Sequence, residues 1–208
     1  MTAGLLLLGA GGLTREVLAS GIDGVVGILD DDFSLQGAVV GGVPVLGVIA
    51  SAVDRDESLL VCVGPGTGRR DIVGRLRSLG IEERRFATYV APSARIGTTS
   101  TVGVGSVVLD NVVVTADAGI GRHVVLMPNC TITHDDLIAD FATLAAGVTL
   151  GGRVRVGEAS YLGMNASVRQ GLTIGGDVTV GMGAVVLCDV PDEQTWVGMP
   201  ARPTGVTV

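Results

Sequence analysis

The chain has no lysine at all: its 14 basic residues are arginines, which excludes catalysis through a lysine Schiff base. It has only two histidines, His123 and His134, too few for a zinc site built on three imidazoles, so no metal is expected. Aromatics make up 3% of the residues, too little for an ordinary globular core. Cys62, Cys130 and Cys188 are odd in number and far apart, which argues against a disulfide framework and for a reduced, intracellular setting. No G-x-S-x-G nucleophile motif occurs. A net charge of −7 disfavours nucleic acid and anionic membranes as partners. No apolar run reaches the length of a membrane span, and no basic region precedes the short apolar stretch from Met1 to Leu8, so a cytoplasmic, soluble protein is expected.

What the chain has instead is glycine, 33 of 208 residues, and a strict period of six. From Val90 to Val186 every sixth residue is aliphatic, seventeen positions without a break. Four residues after each lies a second station, small or apolar almost everywhere (Ala94, Ser106, Val112, Cys130, Ala142), with Asp136 as the exception. One residue before that is a third station, which is Gly, Asn or Asp in eleven of the seventeen repeats. Those residues tolerate a left-handed backbone, so the third station should form corners. Strand and corner at six residues a side give a three-sided parallel β-helix, in which residues eighteen apart stack at about 4.8 Å. Handedness does not follow from the period.

The first part of the chain reads differently. Residues 3–9 suggest a buried strand running into Gly9-Ala10-Gly11-Gly12, followed by a helix from Thr14 to Ser20. Backbone amides and the positive end of the helix dipole would face an anion there. The fingerprint G-x-G-x-x-G is incomplete, with Thr14 at the third glycine, so a dinucleotide is not indicated. A second strand, 24–29, ends at Asp30 and Asp31, within reach of a ribose hydroxyl; a third, 59–63, ends in Gly64-Pro65-Gly66 and leads to a helix through Arg69. Three strand ends with loops on one sheet edge describe a small Rossmann-like α/β domain, 1–89, that holds a nucleotide or nucleotide sugar. The β-helix occupies 90–191, and 192–208 form an extended tail around Trp196 to Pro203.

General acid–base chemistry is left to one histidine. His134, in Thr133-His134-Asp135-Asp136, stands before a corner, where Asp135 could fix its tautomer. Eighteen residues on is Gly152, whose bare N–H could bond an oxyanion beside the base. His123 occupies a corner without an acidic neighbour and reads as a solvated surface residue. Asp136 either braces the site or sits at a wet corner.

Together, Gly9-Ala10-Gly11-Gly12, Leu29-Asp30-Asp31, Val63-Gly64 with Arg69, Ala91-Pro92-Ser93-Ala94, Ile132-Thr133-His134-Asp135 and Val197-Gly198-Met199-Pro200-Ala201 resemble the hexapeptide-repeat sugar acyltransferases. The similar group includes sialic acid O-acetyltransferases and nucleotide 4-amino-sugar N-acetyltransferases. The resemblance implies a homotrimer of left-handed β-helices, acetyl-CoA between adjacent prisms, and a sugar or nucleotide-sugar acceptor held by the front domain. It implies His134 as general base, Asp135 as its orienting carboxylate, and the Gly152 amide on the thioester oxygen. Thr143 falls where some members contact CoA through a histidine, and Met164 where the CoA arm packs. Gly9, Gly11, Gly12, Asp30, Asp31 and Gly64 would hold the acceptor nucleotide. The chain departs from the pattern at Leu13, often a histidine, and at Asp136, usually a neutral residue. Acetyl transfer to an amine is the expected reaction. Transfer to a sugar hydroxyl, an acyl-carrier-protein donor, and a non-catalytic nucleotide-binding trimeric scaffold are the alternatives.

Overall fold

The run Leu5–Leu8 is apolar at every position, as a strand covered on both faces requires. In the computed structural model, which describes residues 4–205, this strand (β1) lies inside a five-stranded sheet. Ala3, the first residue of the expected strand, and the last three residues of the tail lie outside the described residues. β1 is followed by α1 (Gly12–Ala19), β2 (Val25–Leu29), β3 (Val39–Val40), β4 (Val43–Gly47), β5 (Ser58–Val61) and α2 (Gly66–Ser78). The sheet order is β3-β4-β2-β1-β5, parallel except for the β3–β4 hairpin, which has no counterpart in the sequence-based expectation. Side chains alternate across it. Leu6 and Leu8 pack with Val73 and Leu76 of α2, and Leu7 with Leu13 and Val17 of α1.

From Tyr89 the chain winds as a triangular prism with three sheets of six, five and eight strands, all parallel except for the last strand, Arg202–Pro203. Up to Val185–Val186 each strand is two residues long and pairs with the strand eighteen residues away: Val113 with Thr131, Gly119 with Leu137, Val125 with Thr143. The six-residue aliphatic station points inward and forms a single core from Val108 to Val186. Every corner residue from Gly105 to Gly183 has a positive φ, including Phe141, Arg153 and Ala159, whose side chains disfavour it. The amides from His123 onward show why the conformation holds: each donates to the carbonyl nineteen residues back, as Phe141 does to Arg122 (2.8 Å) and Arg153 to His134 (2.9 Å). The ladder offsets a local cost on the order of 1 kcal/mol per corner.

The extended tail packs on the prism: Thr195–Val197 pairs in parallel with Thr179–Val180, and Arg202–Pro203 folds back against it. Trp196 takes the inward place below Val180 and is 8% exposed, because the end of the core needs an apolar cover. His123 is not solvated but 0% exposed. Its corner is the one on which the N-terminal unit docks, so its ring stacks on Phe141 (centroids 5.2 Å apart) and meets Phe86 edge-on at 4.9 Å. Neither ring nitrogen has a hydrogen-bond partner among the described residues, and Glu83 Oε1 lies 3.6 Å from Nε2.

Burial pulls the His123 pKa down to about 4 against the opposing pull of Glu83. A folded-state value below the unfolded one contributes stability that is present above pH 6.5 and lost as pH falls toward 4. Denaturant unfolding at pH 7 and pH 4 should therefore show His123→Phe gaining about 3 kcal/mol on the wild type across that interval. An unchanged difference at the two pH values would contradict a neutral, buried imidazole.

Candidate active site

The Thr131–Ile132 strand delivers His134 to a corner where Asp135 takes the left-handed conformation (φ 61°). The imidazole stands outward, 59% exposed, and its Nδ1 meets Asp135 Oδ2 at 2.7 Å. That bond turns Nε2 toward the next rung, where it lies over Gly152: a Cβ there would collide with the ring at Nε2. Only glycine lets the ring lie this close to the backbone.

The Gly152 amide makes no hydrogen bond within the described residues. In two other coils the amide at the same point of the repeat is capped by a carboxylate oxygen: Arg122 N–H by Asp140 and Gly176 N–H by Asp192, both at 2.8 Å. This N–H is thus oriented to serve an oxygen acceptor, and at Gly152 the described residues supply none. A histidine with an oriented tautomer, beside a free amide donor, can take a proton from a nucleophile and bond the oxyanion that its attack creates.

The second feature is a cavity of about 700 Å³ between the N-terminal unit and one face of the prism. Gly12, Leu13 and Glu16 of α1 line one side, Gly64 to Thr67 another, and Val125, Thr143 and Tyr161 the prism wall. The α1 helix begins without a side-chain cap, leaving its first amides open to an anion. Among the glycines and aspartates expected here, Gly12 and Gly64 line the cavity. Gly11 is exposed as the residue before α1. Gly9 is buried with φ 104°, its α-carbon so close to the segment after β5 that a Cβ would come within 2.9 Å of Val63 Cγ2, so it shapes the turn.

Asp30 and Asp31 do not line the cavity. Asp30 accepts the Ala10 amide at 2.6 Å and the Asp32 amide at 2.8 Å, which ties the glycine loop to β2. Asp31 accepts the Ile49 amide at 2.9 Å and pairs with Arg75.

Thr143 belongs to this cavity, not to the His134 corner: its hydroxyl donates to the Gly64 carbonyl at 2.9 Å. Met164 stands half exposed above Met182 on another corner of the prism. One chain therefore brings His134, Asp135 and Gly152 together, and places Thr143 and Met164 elsewhere.

Sequence reasoning missed what Arg69 does. This guanidinium is fully buried between α2 and the prism, and it donates to six oxygens. They are the carbonyls of His123, Val63, Gly64, Phe141 and Ala142 and the Thr143 hydroxyl, all within 3.0 Å. Burial lowers its pKa to about 9, which leaves it charged at neutral pH. The signal was an arginine at the head of the buried stripe Arg69, Val73, Leu76. Replacing it by Met orphans buried acceptors on both sides of the junction. Urea unfolding of Arg69→Met should show a loss of more than about 3 kcal/mol; a loss under about 1 kcal/mol would mean that the junction does not depend on this side chain.

No family model matches the chain. Over 99% of its length it is similar to perosamine N-acetyltransferase from Caulobacter crescentus, solved as a histidine-to-asparagine variant with CoA and GDP-perosamine (29% identity, 99% of that chain, TM-score 0.91). Over 98% it is similar to the acetyltransferase domain of PglB from Neisseria gonorrhoeae (33% identity, 100% of that chain, TM-score 0.86). The prism shares the left-handed winding of these neighbours. An acyl-[acyl-carrier-protein]–UDP-N-acetylglucosamine O-acyltransferase from Thiobacillus denitrificans matches over 87 residues with 32% identity, 42% of this chain and 34% of that relative. The chain spans less than half the length of the curated relatives it matches.

Proposed function

The chain belongs to the hexapeptide-repeat sugar acetyltransferases, and from that premise we propose that it carries an acetyl group from acetyl-CoA to the amine of a nucleotide-activated sugar. The observation that carries the reading is the His134–Asp135 pair lying over the uncapped Gly152 amide. His134 Nε2 takes a proton from the amine as its nitrogen attacks the thioester carbon. Gly152 N–H bonds the carbonyl oxygen as it gains charge. When the carbon–sulfur bond breaks, the imidazolium returns its proton to the departing thiolate. Asp135 keeps Nδ1 protonated throughout.

The acceptor's nucleotide occupies the cavity beside the glycine loop, with the α1 amides toward its phosphates. We divide the chain accordingly: 1–89 holds the acceptor, 90–191 carries the transfer chemistry, and 192–208 follow the last coil. A homotrimer is part of this reading. The His134 corner is opposite the prism face that walls the cavity, so an acceptor in one protomer meets the base of a neighbour. Thr143 and Met164, remote from His134 within one chain, reach CoA at the same junction. No helix among the described residues is long and apolar enough to cross a membrane.

Thiol release from acetyl-CoA, measured with a panel of amino-sugar nucleotides and their hydroxyl counterparts, tests the reaction. Turnover with an amino sugar is expected; release with hydroxyl sugars alone would replace the acceptor class. Absence of release with every acceptor, alongside nucleotide binding, would favour a scaffold. His134→Ala should lower kcat by about 10²- to 10⁴-fold with the oligomer intact. Near-wild-type turnover would remove His134 from the reaction. Gly152→Ala, which displaces the ring, should cost roughly 10²-fold or more in kcat.

A further inference from the structure

The residue after the His–Asp pair stands where the other coils carry apolar side chains or a hydroxyl. Asp136 points into the prism and is 0% exposed. Its Oδ1 accepts the Val154 amide at 2.8 Å. That bond is ordinary for the station: Ser106 and Ser160 accept the amide eighteen residues on, from Val124 at 2.9 Å and Val178 at 3.1 Å. The other oxygen does something the serines do not. Oδ2 reaches back to accept the Thr133 amide at 2.7 Å, with the Thr133 hydroxyl at 3.5 Å.

Thr133 immediately precedes His134, and Val154 lies two residues after Gly152. One buried carboxylate thus ties the backbone on either side of the ring and amide together from inside. A serine would satisfy Val154 without burying a charge, and among the described residues no cation pairs with Asp136 to offset that cost. Burial raises the carboxyl pKa above its ordinary value, and the Val154 and Thr133 amides pull it back. His134 also acts on it electrostatically.

We infer that Asp136 is a positioning residue for acetyl transfer: it holds the His134 turn against the Gly152 strand end, and its negative charge favours the imidazolium formed when His134 takes up the acceptor's proton. The inference rests on the reading of His134 as the base. The other charged groups around the turn are Asp135 beside it, Asp117 at the corner one rung before, and Arg153 and Arg155 one rung after. The flanking Asp117 and Arg153 are of opposite sign, which leaves Asp135 and the buried Asp136 against the single charge of Arg155, a net negative balance.

Two variants of the full chain test this. Asp136→Asn is isosteric but turns a donor toward an amide. Asp136→Ser keeps the Val154 bond in the form already used at Ser106 and Ser160, so it folds as the other coils do. Both should lower kcat about tenfold with KM within about twofold, and move the acid limb of kcat/KM toward lower pH. A serine variant with unaltered kcat and pH profile would overturn the inference, as would variants that lose thermal stability while kcat and the pH profile stay put. The two ideas fail separately: an active His134→Ala enzyme refutes the base, whereas an inactive His134→Ala enzyme beside an Asp136→Ser enzyme of unaltered kcat and pH profile refutes Asp136 alone.

Discussion

Everything in this protein depends on one hydrogen-bond ladder, the pairing of each rung with the rung eighteen residues away. The amide of each corner residue from His123 to Gly183 donates to the carbonyl nineteen residues earlier, and strand amides donate to carbonyls seventeen residues later. That geometry forces a left-handed backbone at the corner and an inward aliphatic residue on each side. Chemistry is a by-product of the same geometry. Side chains at corners have no room inside, so they stand outward in columns, and the column through His134 and Gly152 puts a ring on a bare amide.

A period is the part of a fold that sequence shows best, because the physical demand repeats and a single substitution cannot hide it. The prism, its corners and the stacking of His134 on Gly152 were all legible for that reason. Phe141, Arg153 and Ala159 break the residue preference of their station and still obey its backbone. The features that were not legible come from contacts made once. His123 looked like any exposed corner until Phe86 and Phe141 closed over it. The return of Trp196 to the prism has no periodic signature, since its rung is sixteen residues from Val180 instead of eighteen. The aspartates after β2 were placed on the right sheet edge, but Asp30 is committed to the Ala10 amide and Asp31 to Arg75. Charge at a strand end says that a bond is made there, not with what.

The junction between the two units shows how a lysine-free chain uses arginine. A planar guanidinium can distribute its donors over several carbonyls, and Arg69 does so across the α2 start, the Gly64 loop and two prism corners. An ammonium could not span that set. Because Thr143 and Gly64 share this network and also wall the cavity, the shape of the acceptor pocket and the docking of the N-terminal unit are one structural fact.

The central claim is that adjacent rungs present a base and an oxyanion donor to the same reacting carbonyl. A crystal structure of the assembled protein with a non-hydrolysable acetyl-CoA analogue and the amino-sugar nucleotide tests it most directly. The account predicts the acyl oxygen about 3 Å from Gly152 N and the acceptor nitrogen within hydrogen-bond reach of His134 Nε2. An acyl group seated away from this corner, with His134 facing bulk solvent, would contradict it.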